Sequence, residues 1–194
     1  MRPVHVAAVV LAAVALTVAL WPRSHTPVAA GPCGITDEWP SKLGLDSAGR
    51  ATLCLVNLER SQHGLPVLRQ NALLDAASVE HSQDMVRRDY FEHATPEGRS
   101  VGDRLRAIGY QRGVSASAGE NIAYGVRDKS TPASIVRAWM RSPGHRADIL
   151  RPAFTEIGIG ISLGAPEVLD RNPQNSATYT TDFGGVVDPS LPNG

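Results

Sequence analysis

Apolar residues recur first at helical and later at strand spacing, and this change of period organises the chain. From Ser47 to His63 the apolar positions Ala51, Cys54, Leu55 and Leu58 return at helical intervals, with Asp46 as an N-cap and Gly64 as the stop. This predicts a first helix. After Gly64-Leu65-Pro66, Asn71 caps a second predicted helix from Ala72 to about Asp89, on which Leu74, Ala77, His81 and Met85 form one stripe. Ser100 and Asp103 have capping-box spacing and open a short helix through Leu105 and Ile108 that stops at Gly109. Thr131 and Pro132 start a fourth, whose core face is Ile135, Val136, Ala138, Trp139 and Met140, and Ser142-Pro143-Gly144 ends it. Arg146 to Leu150 reads as one more turn.

From Ile157 the period becomes two. Ile157, Ile159 and Ile161 alternate with Gly158, Gly160 and Ser162, the pattern of a strand packed closely against a neighbour. A polar loop from Pro166 to Ser176 separates it from Tyr179-Thr180-Thr181-Asp182-Phe183, and the two strands read as a hairpin. Helices first, strands later and no strand-helix-strand alternation predict an α+β fold with a small antiparallel sheet covered by helices. Between these elements, Tyr90 to Gly98 reads as a loop that holds His93 behind an aromatic pair. The Gly/Ser/Ala-rich stretch from Gly113 leads into a turn at Gly119-Glu120-Asn121.

The N-terminal pattern is different again. Arg2 precedes a run from Val4 to Trp21 made almost wholly of Val, Ala and Leu, which reads as a secretory signal with cleavage after Val28-Ala29-Ala30. The rival is an uncleaved membrane anchor through residues 4–21. Either reading exports the remainder. The expected organisation is a signal over 1–30, an irregular arm over 31–45, one domain over 46–187 and a tail over 188–194.

Composition narrows the function classes. At 194 residues and 42% hydrophobic content the chain can build one core. Its nineteen basic and nineteen acidic residues cancel and are interspersed, so no field exists to hold nucleic acid. Cys33 and Cys54 are the two cysteines, and in an exported chain they predict one disulfide. The loop it closes, about twenty residues, stabilises by about 3 kcal/mol in the chain-entropy account.

Candidate chemistry comes down to three side chains. Gly158-Ile159-Gly160 with Gly164 lacks the spacing of a dinucleotide loop; Gly160-Ile161-Ser162-Leu163-Gly164 has Gly-x-Ser-x-Gly spacing but ends a strand pattern with no helix after it, so it is no nucleophile elbow, and no His-Glu-x-x-His motif is present. His93, Glu120 and His145 remain. Two imidazoles and a carboxylate can hold a divalent cation with an open position or act as an acid/base group. Equally, Glu120 can cap backbone amides and His145 can close the fourth helix. His81, on a half-buried stripe, reads as a core imidazole satisfied by hydrogen bonds.

Five segments in order carry a resemblance: Asn57 to Arg60; Phe91-Glu92-His93 with Pro96-Glu97-Gly98; Gly119-Glu120-Asn121-Ile122; Trp139 with Ser142-Pro143-Gly144-His145-Arg146; and Ile157-Gly158-Ile159-Gly160. Together they resemble the CAP superfamily of cysteine-rich secretory, antigen 5 and pathogenesis-related proteins, in its short bacterial form, over roughly residues 47 to 185. The resemblance implies a three-layer α-β-α sandwich, an extracellular setting, and a cleft with a His-Glu-Glu-His tetrad that in some members binds a divalent metal. His93, Glu120 and His145 match the first histidine, the first glutamate and the last histidine. Ser142 stands where the second glutamate would be, so the metal site is one carboxylate poorer.

The implied cofactor is zinc or another divalent cation on His93, Glu120 and His145, in a cleft also lined by Ser142, Asn121 and His81. The expected partner is a lipid or cell-envelope ligand, with no nucleic acid, and the chain is expected to be a monomer. A binding module comes first, a structural or interaction domain second. A metal-assisted hydrolase, with Glu120 taking a proton from water on the cation, comes third.

Overall fold

The computed structural model describes residues 31–110, 116–167 and 172–186. The signal or anchor over 1–30 and the tail over 188–194 lie outside the described residues. The elements are α1 (Pro40–Leu43), α2 (Leu45–Gln62), β1 (Arg69–Gln70), α3 (Ala72–Arg88), α4 (Val101–Ala107), β2 (Ala116–Val126), a 3-10 turn (Arg127–Lys129), α5 (Pro132–Arg141), α6 (Pro143–Ile149), β3 (Glu156–Leu163) and β4 (Ser176–Val186). The sheet order is β1-β3-β4-β2. β2, β3 and β4 are antiparallel neighbours, whereas the two-residue β1 runs parallel to β3. The fold is α+β, with α3 and α4 on one face of the sheet and α2, α5 and α6 on the other.

Local signals set most helix ends. The Asn71 side chain accepts from the amides of Leu73 and Leu74, and the Ser100–Asp103 capping box is complete. Thr131 caps α5 through the amide of Ser134. α2 starts earlier than Asp46 implies: α1 occupies part of the expected irregular arm, Gly44 adopts φ 85° between the two helices, and Asp46 lies inside the first turn. A carboxylate there meets the positive end of the helix dipole just as a cap would, so the signal is displaced by a residue or two.

The main correction is β2. Gly119-Glu120-Asn121 is not a turn but the middle of an eleven-residue strand. Glycine is required at 119 because a Cβ there would lie 2.8 Å from the Phe154 ring. Close packing, not turn formation, explains the small residue.

One face of the sheet packs a continuous apolar core. Val56 of α2, Ile135, Val136 and Trp139 of α5, and Ile149 of α6 meet Ile157, Ile159, Tyr179 and Phe183. Ala138 is exposed, contrary to the expected α5 face. The Asn57 to Arg60 segment proves to be a latch. Asn57 exchanges two hydrogen bonds with the backbone of Leu68, and the fully buried Arg60 donates to the carbonyls of Pro66, Ile149, Arg151 and Phe154. The predicted disulfide joins Cys33 to Cys54 and fastens the arm to α2.

On the other face, α3 lies directly on β3. A Cβ at Gly158 or Gly160 would come within 2.0 Å of the α3 backbone at Leu74 or Ser78. The isoleucine/glycine alternation therefore describes two covered faces, one packed by side chains and one by a helix backbone.

Candidate functional site

The register of β2 on β4 sets Glu120 opposite Asp182 and Asn121 opposite Thr181. Successive side chains leave a strand on opposite faces, so these two pairs serve different layers. Glu120 and Asp182 face α3 and α4. Asn121 faces the other way, where its amide donates to the His145 carbonyl at 3.0 Å and holds the first turn of α6.

Glu120 is the centre of a buried polar cluster, its side chain 2% exposed. Arg104 of α4 donates to its Oε2 through Nη2, and Nη1 of the same guanidinium donates to the His93 carbonyl at 2.8 Å. His93 approaches from the loop after α3 and meets Glu120 Oε1 through Nδ1 at 2.8 Å. Phe91 packs edge-on against Tyr124 of β2, with ring centroids 4.8 Å apart, and pins that loop. Beneath the carboxylate, His81 Nε2 donates to the Glu92 carbonyl at 3.0 Å and lies 3.8 Å from Glu120 Oε2. Ser78 Oγ donates to Asp182 Oδ2 at 2.8 Å and accepts from the Asp182 amide at 3.1 Å.

The electrostatics follow from burial and contact. Burial, and then the neighbouring Glu120, lift the Asp182 carboxyl to about 8, so it keeps its proton at neutral pH. A neutral partner lets two carboxyl groups share one cross-strand position. The hydrogen bond to Glu120 raises the His93 pKa against the opposing effect of burial. Burial lowers that of His81, and burial followed by the charge of His93 lowers that of His145. His93 and His145 therefore lie close enough to sense one another.

The expected site residues separate into three groups. His93, Glu120 and His81 converge, but His81 is only 1% exposed and sits under the carboxylate instead of lining an open cleft. Asn121, also expected in the lining, is fully buried and acts through the His145 backbone. Ser142 links α5 to α6 in an extended conformation without a side-chain capping bond.

Of the donors expected for zinc or another divalent cation, His93, Glu120 and His145, the carboxylate is the one already committed. Both Glu120 oxygens are already engaged, and the Arg104 guanidinium supplies the positive charge beside them. Among the described residues no group of three or more His, Cys, Asp or Glu side chains could hold a metal ion. Sequence reasoning missed Arg104, Asp182 and Ser78. An acid inside the Thr180–Phe183 strand was a usable signal for Asp182; nothing local distinguishes Arg104 from the other scattered arginines.

The profile of the cysteine-rich secretory protein family, CAP, matches residues 53–168, more than half of the chain. The chain belongs to the CAP family. Over 137 residues it is 36% identical to YkwD of Bacillus subtilis strain 168, covering 71% of this chain and 50% of YkwD. It is 34% identical over 132 residues to the membrane protein YlbC of the same strain, covering 67% of this chain and 36% of YlbC. The chain thus spans half or less of the length of these curated relatives. An extracellular Bacillus anthracis protein containing an SCP domain has a similar structure, with TM-score 0.56, 31% identity and coverage of 71% of this chain and 40% of that one. An outer surface protein of Borrelia burgdorferi shares the fold, with TM-score 0.55, 18% identity and coverage of 69% of this chain and 89% of that one. As in these neighbours, the CAP domain here is built by helices on both faces of one sheet. No helix among its described residues is long and apolar enough to cross a membrane.

Proposed function

We propose that this CAP domain is the binding module of an exported protein and takes a cell-envelope ligand at His93 and His145. The observation that carries this reading is the division of labour around Glu120. The carboxylate is buried and neutralised by Arg104, while the His93 side chain it orients is 57% exposed. With Nδ1 engaged, His93 has Nε2 available to a ligand, and the half-buried His145 is its neighbour. Two imidazoles at a polar rim suit a hydrated glycan or peptide fragment of the envelope better than an acyl chain. Export is supported by the apolar run at residues 4–21, the disulfide, and the likeness to a domain of an extracellular protein.

Binding is favoured over hydrolysis because, among the described residues, no nucleophilic side chain is held by either imidazole. Ser78, the hydroxyl nearest the carboxyl pair, is fully buried and held by Asp182. The test follows the imidazole resonances of His93 and His145 by NMR during separate titrations with soluble peptidoglycan fragments, a short-chain phospholipid and zinc. Movement of both rings with the envelope fragments, lost in His93→Gln, is expected. A saturable zinc response that depends on both histidines and Glu120, with no response to fragments, would overturn the reading in favour of a metal centre.

A further inference from the structure

The opposite edge of the sheet is paired over only part of its length. β1 lies beside β3 only at Glu156 and Ile157, because Asn71 then turns the chain into α3. β3 continues to Leu163, so from Gly158 onward it has no neighbouring strand on that side among the described residues. Where β1 would have continued there is a slot of about 480 Å³. Its walls are Leu45, Gly49 and Arg50 of α2 and Val79 and Gln83 of α3, with Ile161 at its floor.

Backbone parity shows what this edge offers. The Ile157 carbonyl accepts from the Asn71 amide, and the Ile159 amide donates to Asp75 Oδ1 at 2.8 Å, both on the β1 side. Odd-numbered residues of β3 therefore turn their amides and carbonyls toward the slot, and Ile161 and Leu163 follow the same alternation. Asp75 covers the Ile159 amide and Ser162 Oγ reaches the Leu163 carbonyl at 3.4 Å, so among the described residues the Ile161 amide and carbonyl and the Leu163 amide are left to a partner, and the edge is protected only in part.

We propose that this slot binds an extended peptide segment of a partner protein, added to β3 in the position that β1 leaves. Four to six residues at about 3.3 Å each match the edge from Gly158 to Leu163. Main-chain hydrogen bonds supply the recognition, and side chains alternate between the α2 and α3 walls. Of the charged side chains that line the slot, Asp46 and Asp75 outnumber Arg50, whose guanidinium donates to Ser47, so the lining is net negative and favours a basic residue in the peptide. The site lies across the sheet from β2 and is independent of the reading given for His93.

The test is NMR of the isotope-labelled protein with an acetylated and amidated Val-Lys-Val-Thr-Val peptide, alongside the same peptide N-methylated at alternate residues. The expected result is movement of the Ile161 and Leu163 amides with the parent peptide, and binding at least about tenfold weaker after N-methylation, the loss of one or two backbone hydrogen bonds. Gly49→Leu supplies the second variant. Nothing lies within 4 Å of a Cβ at that position, so the side chain fills the slot without disturbing the core. It should keep the thermal stability of the parent and lose peptide binding about tenfold or more. No movement at millimolar peptide, equal binding of the N-methylated peptide, or equal binding to Gly49→Leu would overturn the proposal. So would protection of Ile161 and Leu163 without peptide in a concentration-dependent dimer, which assigns the edge to a second copy.

Discussion

β4 has two buried faces built on different chemistries. Its odd positions Ala177, Tyr179 and Phe183 join the apolar core under α2, α5 and α6, with the buried Thr181 between them and Phe183 stacked on Phe154 at 5.5 Å. Its even positions Thr178, Thr180 and Asp182 are just as deeply buried, yet they are polar, and each has a specific hydrogen-bond partner for at least one side-chain oxygen. Thr178 donates to the Gly164 carbonyl, Ser82 donates to Thr180, and Ser78 donates to Asp182. The apolar face tolerates adjustment because dispersion contacts are many and non-directional. The polar face does not, because each buried donor or acceptor depends on one partner at one distance. An exposed side chain with a defined orientation, such as His93, is best supported from the second kind of face.

The largest test of this contrast is steric. Gly160→Val would push α3 off β3 and should cost about 3 kcal/mol or more in urea unfolding, whereas Ile161→Val on the opposite face should cost about 1 kcal/mol. Similar costs for the two would mean that α3 is not seated rigidly. Next, Arg104→Met leaves Glu120 buried without its cation, and a loss of about 3–5 kcal/mol is expected. Adding Glu120→Gln should recover part of that loss, a non-additivity that a double-mutant cycle reads directly.

A smaller effect is expected from pH. Asp182 titrates near 8 in the folded protein, against an ordinary value of 3.8. Over that window the native state binds the proton that the unfolded chain has released, so this group's contribution to stability is full below the lower value and falls as pH rises toward the upper one. Asp182→Asn should remove that part of the slope, which is at most about 1.4 kcal/mol per pH unit for a single proton. His93 adds a loss in the same direction as pH rises through its raised folded value, and it persists in Asp182→Asn. An unchanged slope in that variant would show that Asp182 ionises normally. The smallest effect belongs to His93→Gln: the ring is largely exposed but its Nδ1 serves the buried Glu120, so stability should fall by about 1 kcal/mol or less, while ligand response is lost.

Much of the helical half was readable before any coordinates. Asn71, the Ser100–Asp103 box and Thr131-Pro132 are local signals whose hydrogen bonds form within a few residues, so no tertiary information is needed to place them. The strand of alternating Ile and Gly was equally legible. β2 was not, because Gly119 and its small neighbours mimic a turn, and only the Phe154 ring lying against Gly119 explains them. His93 and Glu120 could be nominated, but not the guanidinium between them and α4. Arg104 and Asp182 are 16 and 62 positions from Glu120 in the chain, and no local pattern connects them.

The linear pattern was sufficient for the α+β class, the four main helices, the disulfide and the family, because each depends on periodicity, capping or ordered motifs carried by neighbouring residues. The partners of Glu120, the buried state of His81 and Asn121, and the open edge of β3 were decided by how strands pair and layers stack. Those contacts join residues distant in the chain, and strand register, which selects the face each side chain occupies, is a property of two strands together.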